Sequence, residues 1–386
     1  MIPLIALIMV IPIFVALPQV QAATTLNNHW IYSIDGGANY LWCRGAMVEL
    51  WKSSTSGGSY THVQGQDGML DDNGWITFSV TGGYYYKVKI RLCDNENFMF
   101  KHPDDTYGYY WWGSPKYVPS GTTKWQNDTI SNDQALWKCY DNLRAAHSWL
   151  WHTTAWDCPF CTVYYPDPCW FGPDMPHTMF ANGDIHVPTS CYYLLSNATV
   201  MQHEYGHHIQ FCAQGSFDAI SGTHSISTET TCPKAFGEGW ADFLPSAINN
   251  NPNMGFGNIE RSFNNTDLTP TTWDSWANYP EFLNHQDYST YNWDGYHVEG
   301  SVAEVLWDLF DGISASDSRP GWHIPSGDRG DNIQDMFTRT NATWHIFLVD
   351  HVNTLEGLYN KLLYYGFESV ALNDVFVHAR CWYWSR

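Results

Sequence analysis

Residues 197–209 read NATVMQHEYGHHI and residues 237–243 read GEGWADF. In the first segment His203 and His207 stand four apart. On a helix that spacing puts both imidazoles on one face, where they can chelate a single ion. Glu204 lies beside that face and can take a proton from water, a step that a divalent metal makes feasible by lowering the pKa of water to about 7. Zinc suits two imidazoles and a carboxylate, with a fourth position left open. Glu238 in the second segment supplies the carboxylate. Phe236, Trp240, Phe243, Ala247 and Ile248 recur at helical spacing, which predicts a second amphipathic helix. Glu238 and Asp242 share one side of it, so Asp242 can accept the free N–H of a ligating histidine and fix its ring. The plainer readings, two surface histidines and a solvated acidic face, require two independent short motifs to coincide by chance.

Together, HEYGH and GEGWADF resemble the gluzincin metallopeptidases, most closely the fungalysin-type pattern of HEYxH followed by EGWSD. The resemblance covers roughly residues 130–315. It implies that His203, His207 and Glu238 bind Zn2+, that Glu204 is the general base and that Asp242 orients a histidine ligand. It also implies an edge strand over Asn182 to Val187 that receives extended substrate backbone, for which an ordinary strand is the rival reading. Family members place a His or Tyr at the head of a later helix to donate to the tetrahedral oxyanion. Here His297 is the first choice and Tyr296 the second, with a structural histidine as the alternative. Glu299 is a rival metal ligand. His208 is turned about 100° from the ligand face and reads as a supporting or surface residue. His224, in the loop between the motifs, is given no role. A metzincin needs Gly at 210 and His at 213, and this chain has Gln210 and Ala213. No GxMEN-like element points to an aminopeptidase.

Upstream, Tyr86, Val88, Ile90 and Leu92 alternate with Lys87, Lys89 and Arg91, the period of a half-buried strand. Ala46, Val48 and Leu50 alternate in the same way, and Asn73-Gly74 before WITFSV is a hairpin signal. Cys43 and Cys93 flank these runs and could staple them. The order VELW, DDNGWITFSV, YYYKVKIRL resembles transthyretin-like or carboxypeptidase-regulatory-like β-sandwiches. The expected fold class is therefore α+β: an N-terminal β-sandwich over residues 24–118, then a mixed α/β to α-helical gluzincin part over 119–386. A boundary is expected at the Pro/Gly/Thr stretch 117–123. Gln134 to Trp151 reads as an amphipathic helix, as do Trp344 to Val352 and Leu355 to Tyr365.

The composition narrows the setting. Hydrophobic residues make up 44% of the 386 and aromatics 17%, enough for a sizeable core and too aromatic for disorder. A net charge of −21 disfavours nucleic acid and anionic membranes as partners. Residues 2–20 form an apolar run ending at Gln21-Ala22-Ala23, read as a signal peptide over 1–22 cleaved after Ala22, with an uncleaved N-terminal anchor as the alternative. Ten cysteines behind such a segment read as disulfides in an oxidising compartment. Cys158-Pro-Phe-Cys161 has metal-ligand spacing, but only Cys169 presents itself as a third ligand, so disulfides are the preferred account. Sequons at Asn127, Asn197, Asn264 and Asn341 fit export.

The expectation is a secreted zinc endopeptidase acting on protein or peptide substrates. The alternative is a non-catalytic zinc-containing adhesin that binds a surface glycan or protein through its β-sandwich.

Overall fold

A computed structural model describes residues 23–35, 37–94, 97–167, 176–178, 182–215, 230–251, 295–297, 299–310, 346–347 and 350–367, with single positions 369, 372 and 376. The apolar run over residues 2–20, Cys169, His224, Asn264, Asn341 and Cys381 lie outside the described residues.

The N-terminal half is built from β1 (Thr25–Ser33), β2 (Tyr40–Trp42), β3 (Met47–Ser53), β4 (Thr61–His62), β5 (Gly68–Met69), β6 (Trp75–Ser79), β7 (Tyr84–Arg91), β8 (Phe98–Lys101), β9 (Tyr110–Trp112), β10 (Lys116–Val118) and β11 (Thr123–Ile130). One sheet runs β11-β1-β2 with β6 also on β1, and a second runs β10-β7-β3-β4 with β5 on β3 and β9 on β7. After helix α1 (Gln134–Thr154) come β12 (Cys161–Asp167), β13 (His177–Thr178) and β14 (Ile185–Pro188), and the third sheet runs β13-β14-β12-β8. Strands followed by helices make the chain mixed α and β, consistent with an α+β class. Pairing crosses residue 118 in both directions. β11 lies parallel to β1 from Thr25↔Thr123 to Tyr32↔Ile130, and β8 lies parallel to β12.

The alternation in β7 does what its period predicts on one side: Tyr86, Val88, Ile90 and Leu92 are buried. The charged side is not left to water. Lys89 Nζ lies 3.5 Å from Glu49 Oε2 on β3 and 4.4 Å from the Tyr110 ring centroid, and Arg91 also pairs with Glu49. Asn73-Gly74 differs from expectation. Gly74 takes the left-handed φ of +74°, but the strands on either side belong to different sheets, β5 on β3 and β6 on β1. The turn passes the chain from one sheet to the other, pinned by the Asp71 carboxylate accepting the Asn73 and Trp75 N–H groups. The Cys43–Cys93 staple is also absent. Cys43 is a buried free thiol whose backbone N–H donates to Trp30 O in the first sheet, whereas the Cys93 carbonyl accepts from Met47 N in the second.

α1 buries Leu136, Trp137, Tyr140, Leu143, Ala146 and Leu150, the face its spacing predicts. A 3-10 segment (Thr189–Ser196) leads into α2 (Ala198–Gln214), followed by α3 (Cys232–Asn249), a 3-10 turn (Gly295–His297), α4 (Glu299–Phe310) and α5 (Leu355–Tyr364). The helix expected over 344–352 is helical at Ile346 and Phe347 and has ended by Asp350, where His351 adopts a left-handed φ of 51°. Among the described residues no helix is long and apolar enough to cross a membrane.

α3 sits between α2 and α4, and its glycines set the spacing. A Cβ on Gly239 would lie 2.6 Å from Glu299 O and 2.5 Å from Val302 Cβ of α4. We predict that Gly239→Ala destabilises the fold despite a helix-propensity gain of about 1 kcal/mol, because overpacking against backbone costs roughly 1–3 kcal/mol or more. Gly57→Ala, with open space around it, is the control in the same thermal unfolding experiment; equal midpoints for the two variants would refute this account of the packing.

Candidate metal centre

α2 begins at Asn197, whose side chain accepts the Val200 N–H at 3.4 Å, and ends at Gly215 with φ 76°. Between Val200 and Gln210 every residue is buried, although the stretch carries three histidines, two glutamines and a glutamate. A buried polar group without a partner costs about 1–3 kcal/mol, so each must be answered from a neighbouring element. Gln202 Nε2 donates to Asn142 O of α1 at 3.4 Å, and its Oε1 accepts from Asn249 of α3 at 3.0 Å. The Tyr205 hydroxyl lies 3.2 Å from His147 Nδ1. His203, Glu204 and His207 point at α3 and β13, where the candidate site forms.

His203 and His207 present their rings to α3, with centroids 4.8 Å apart and planes at 90°. His207 Nε2 lies 3.0 Å from Glu238 Oε2, and His203 Nε2 lies 3.5 Å from the same oxygen. The three residues each offer one ligand atom within 4.8 Å of the others. Donors about 2.0–2.2 Å from a tetrahedral zinc stand roughly 3.3–3.5 Å from one another, so this trio fits a shared ion. The other nitrogen of His203, Nδ1, donates to Asp242 Oδ1 at 2.9 Å, which fixes the ring with Nε2 facing Glu238.

The two glutamates are pushed in opposite directions. Burial raises the Glu204 carboxyl above its ordinary range, while His203, His207 and the Thr178 hydroxyl pull it partly back. Burial acts on Glu238 in the same upward sense, but His207 and His203 outweigh it and hold that carboxyl well below the usual range. Glu204 is also positioned by hydrogen bonding: Thr178 Oγ1 of β13 lies 2.8 Å from Glu204 Oε2 and 2.8 Å from its backbone oxygen. Thr178 was not among the residues singled out from the sequence. A single threonine in an irregular, proline-rich stretch has neither periodicity nor motif to mark it.

Other candidates fall elsewhere. His297 is at the N-terminal end of α3, with Nδ1 donating to Thr230 O at 2.5 Å and Nε2 3.4 Å from Cys232 Sγ. Both of its ring nitrogens are engaged. Tyr296 is half-buried against the core, its ring 4.4 Å from that of His297. Glu299 is buried in the first turn of α4, outside the group formed by His203, His207 and Glu238. His208 is not at the surface. It is buried, with Nδ1 2.8 Å from Gly183 O and Nε2 2.9 Å from Pro159 O. The strand expected to be a free edge, β14, is paired on both sides, with β12 and with the two-residue β13 at His177↔His186 and Thr178↔Ile185. The edge position passes to β13, the strand that also carries Thr178.

Comparison with curated proteins finds no match. The family model described as the Mycolysin C-terminal domain matches residues 145–356, from the second half of α1 through both motifs to the start of α5. The name points to a peptidase family, in keeping with the resemblance of the two motifs, and the match spans more than half of the chain. The chain therefore belongs to the Mycolysin C-terminal domain family.

Proposed function

We propose that this chain is a secreted zinc metallopeptidase that cleaves peptide bonds within protein or peptide substrates. The observation that carries this reading is the convergence of His203 Nε2, His207 Nε2 and Glu238 Oε2 beside a restrained Glu204. Two imidazoles and a carboxylate are the donor set of a catalytic zinc with one position open. When bound, zinc supplies Lewis acidity to the scissile carbonyl and makes water acidic enough to be deprotonated near neutrality. The chain supplies the rest. Glu204 takes the proton from attacking water and hands it to the departing amine, a transfer suited to a carboxyl that burial keeps above its ordinary range. Thr178 holds that carboxylate in one orientation, and Asp242 holds His203. Of the two residues considered for the oxyanion, His297 is held by Thr230 and Cys232 and Tyr296 packs beside it, and either would donate from the turn ahead of α4. Residues 24–118 and 119–386 act in this reading as a β-sandwich beside the peptidase part, with β8 and β11 exchanged across the boundary. The −21 charge leaves protein rather than nucleic acid as the partner.

A second reading, a non-catalytic zinc-containing adhesin, is favoured by one feature. The outer face of the first sheet carries Trp42, Trp75 and Trp125 around His29, with Trp125 61% exposed and Trp75 stacked on His29 at 4.3 Å. Flat aromatic faces on a sheet suit a surface glycan.

Casein hydrolysis by the full chain separates the two. Under the peptidase reading, Glu204→Gln lowers the rate at least about 100-fold while zinc content is retained, and a chelator silences the wild type. Hydrolysis untouched by both would refute it, and an inert wild type that binds glycan through Trp125 would favour the adhesin. Asp242→Ala should weaken zinc binding roughly 10–100-fold in a chelator competition, with circular dichroism unchanged. Unaltered zinc affinity would remove Asp242 from the site.

A further inference from the structure

The cysteines around α2 form a second arrangement, on the side away from Glu238. Cys158 and Cys161 stand three apart in sequence, at the entry to β12, and His208 and Cys212 stand four apart on α2. That is a C-x2-C…H-x3-C pattern, the spacing of a closed zinc site. The fold brings the two halves together. Cys158 Sγ, a His208 ring nitrogen and Cys212 Sγ lie within 4.8 Å of one another, and Cys212 Sγ is 3.5 Å from His208 Nε2. A sulfur about 2.3 Å and a nitrogen about 2.0 Å from one tetrahedral zinc stand roughly 3.5 Å apart. Cys161, the other thiol of the C-x2-C pair, interacts with the same ring but lies outside that 4.8 Å group, so it is the candidate fourth ligand and has to turn toward the ion. Cys158, Cys161 and His208 are all buried, so the pocket is shielded from water. The remaining nitrogen of His208, Nδ1, is anchored on Gly183 O at 2.8 Å, the backbone anchor that metal-binding histidines use to hold the opposite nitrogen on the ion.

We propose that Cys158, Cys161, His208 and Cys212 form a structural zinc site that clamps the C-terminal half of α2 to the start of β12. Binding forms three Zn–S bonds and one Zn–N bond and releases three thiol protons to solvent; nothing is oxidised. Nε2 also faces Pro159 O at 2.9 Å, a contact that a metal-bound nitrogen gives up, so occupancy turns that carbonyl aside. The rival is a disulfide between Cys158 and Cys212. It would use two of the four side chains and give no role to His208, whose Nε2 lies 3.5 Å from Cys212 Sγ. The site is independent of the catalytic reading, since the His203, His207 and Glu238 set contains no sulfur.

Cobalt(II) substitution of the full chain tests the proposal. A sulfur-ligated ion gives an intense thiolate-to-cobalt charge-transfer band in the near ultraviolet, which the His203, His207 and Glu238 set does not produce whether or not it is occupied. The wild type and His207→Ala should both show the band, and Cys212→Ser should lose it together with one equivalent of bound metal. A wild type without the band, or a Cys158–Cys212 linked peptide in a non-reducing digest, would overturn the proposal. If Cys212→Ser does not fold, the wild-type spectrum and digest still decide the matter.

Discussion

Helices α2 and α3 can bring an imidazole pair and a carboxylate together only because Gly206 puts no side chain between their backbones. A Cβ at Gly206 would stand 2.9 Å from Ala241 Cα, and across the same junction Trp240 Nε1 donates to Gly206 O at 3.1 Å. Within one turn of helix of that contact lie His203 and His207 on α2 and Glu238 and Asp242 on α3. Separating the helices by the width of a methyl group would lengthen every interaction that defines the site. The close approach of backbone is therefore the constraint from which the chemistry follows.

That approach also forces α2 into the interior, and burial then determines how its polar residues behave. A helix buried on all sides normally carries apolar residues all round. This one carries His, Gln and Glu, and neighbouring elements answer them: α1 for Gln202, α3 for His203 and His207, β13 for Glu204, and the loops beside β12 and β14 for His208. The same desolvation separates the two glutamates. Glu238, faced by two imidazoles, is held in its charged form, while Glu204, with one hydroxyl and more distant rings, is raised. In the proposed function this split lets Glu238 serve as ligand and Glu204 as proton carrier.

The β-rich half is interlocked with the helical half. β8 leaves the second sheet's neighbourhood to extend the sheet of β12 and β14, and β11 returns to run beside β1. Phe98 of β8 packs edge-on against Tyr140 of α1 and Tyr205 of α2, at 5.7 Å and 6.3 Å. The N-terminal strands thus contribute to the support of the helix that carries His203 and His207. This sharing was hidden in the chain because parallel pairing between distant strands leaves no mark on local alternation.

What the sequence determined on its own was everything governed by short-range periodicity. Four-residue spacing placed His203 with His207 and Glu238 with Asp242, the helical repeat defined the buried face of α1, and the period of two defined the inner row of β7. Those relations depend on backbone geometry over one or two turns and hold whatever surrounds them. The tertiary structure decided the rest: that Thr178 restrains Glu204, that His297 is held by Thr230 and Cys232, that β14 is not an edge, and that Cys158 meets His208 and Cys212. Each of these joins residues far apart in the chain, and their meeting is set by how whole elements pack, which no local pattern encodes.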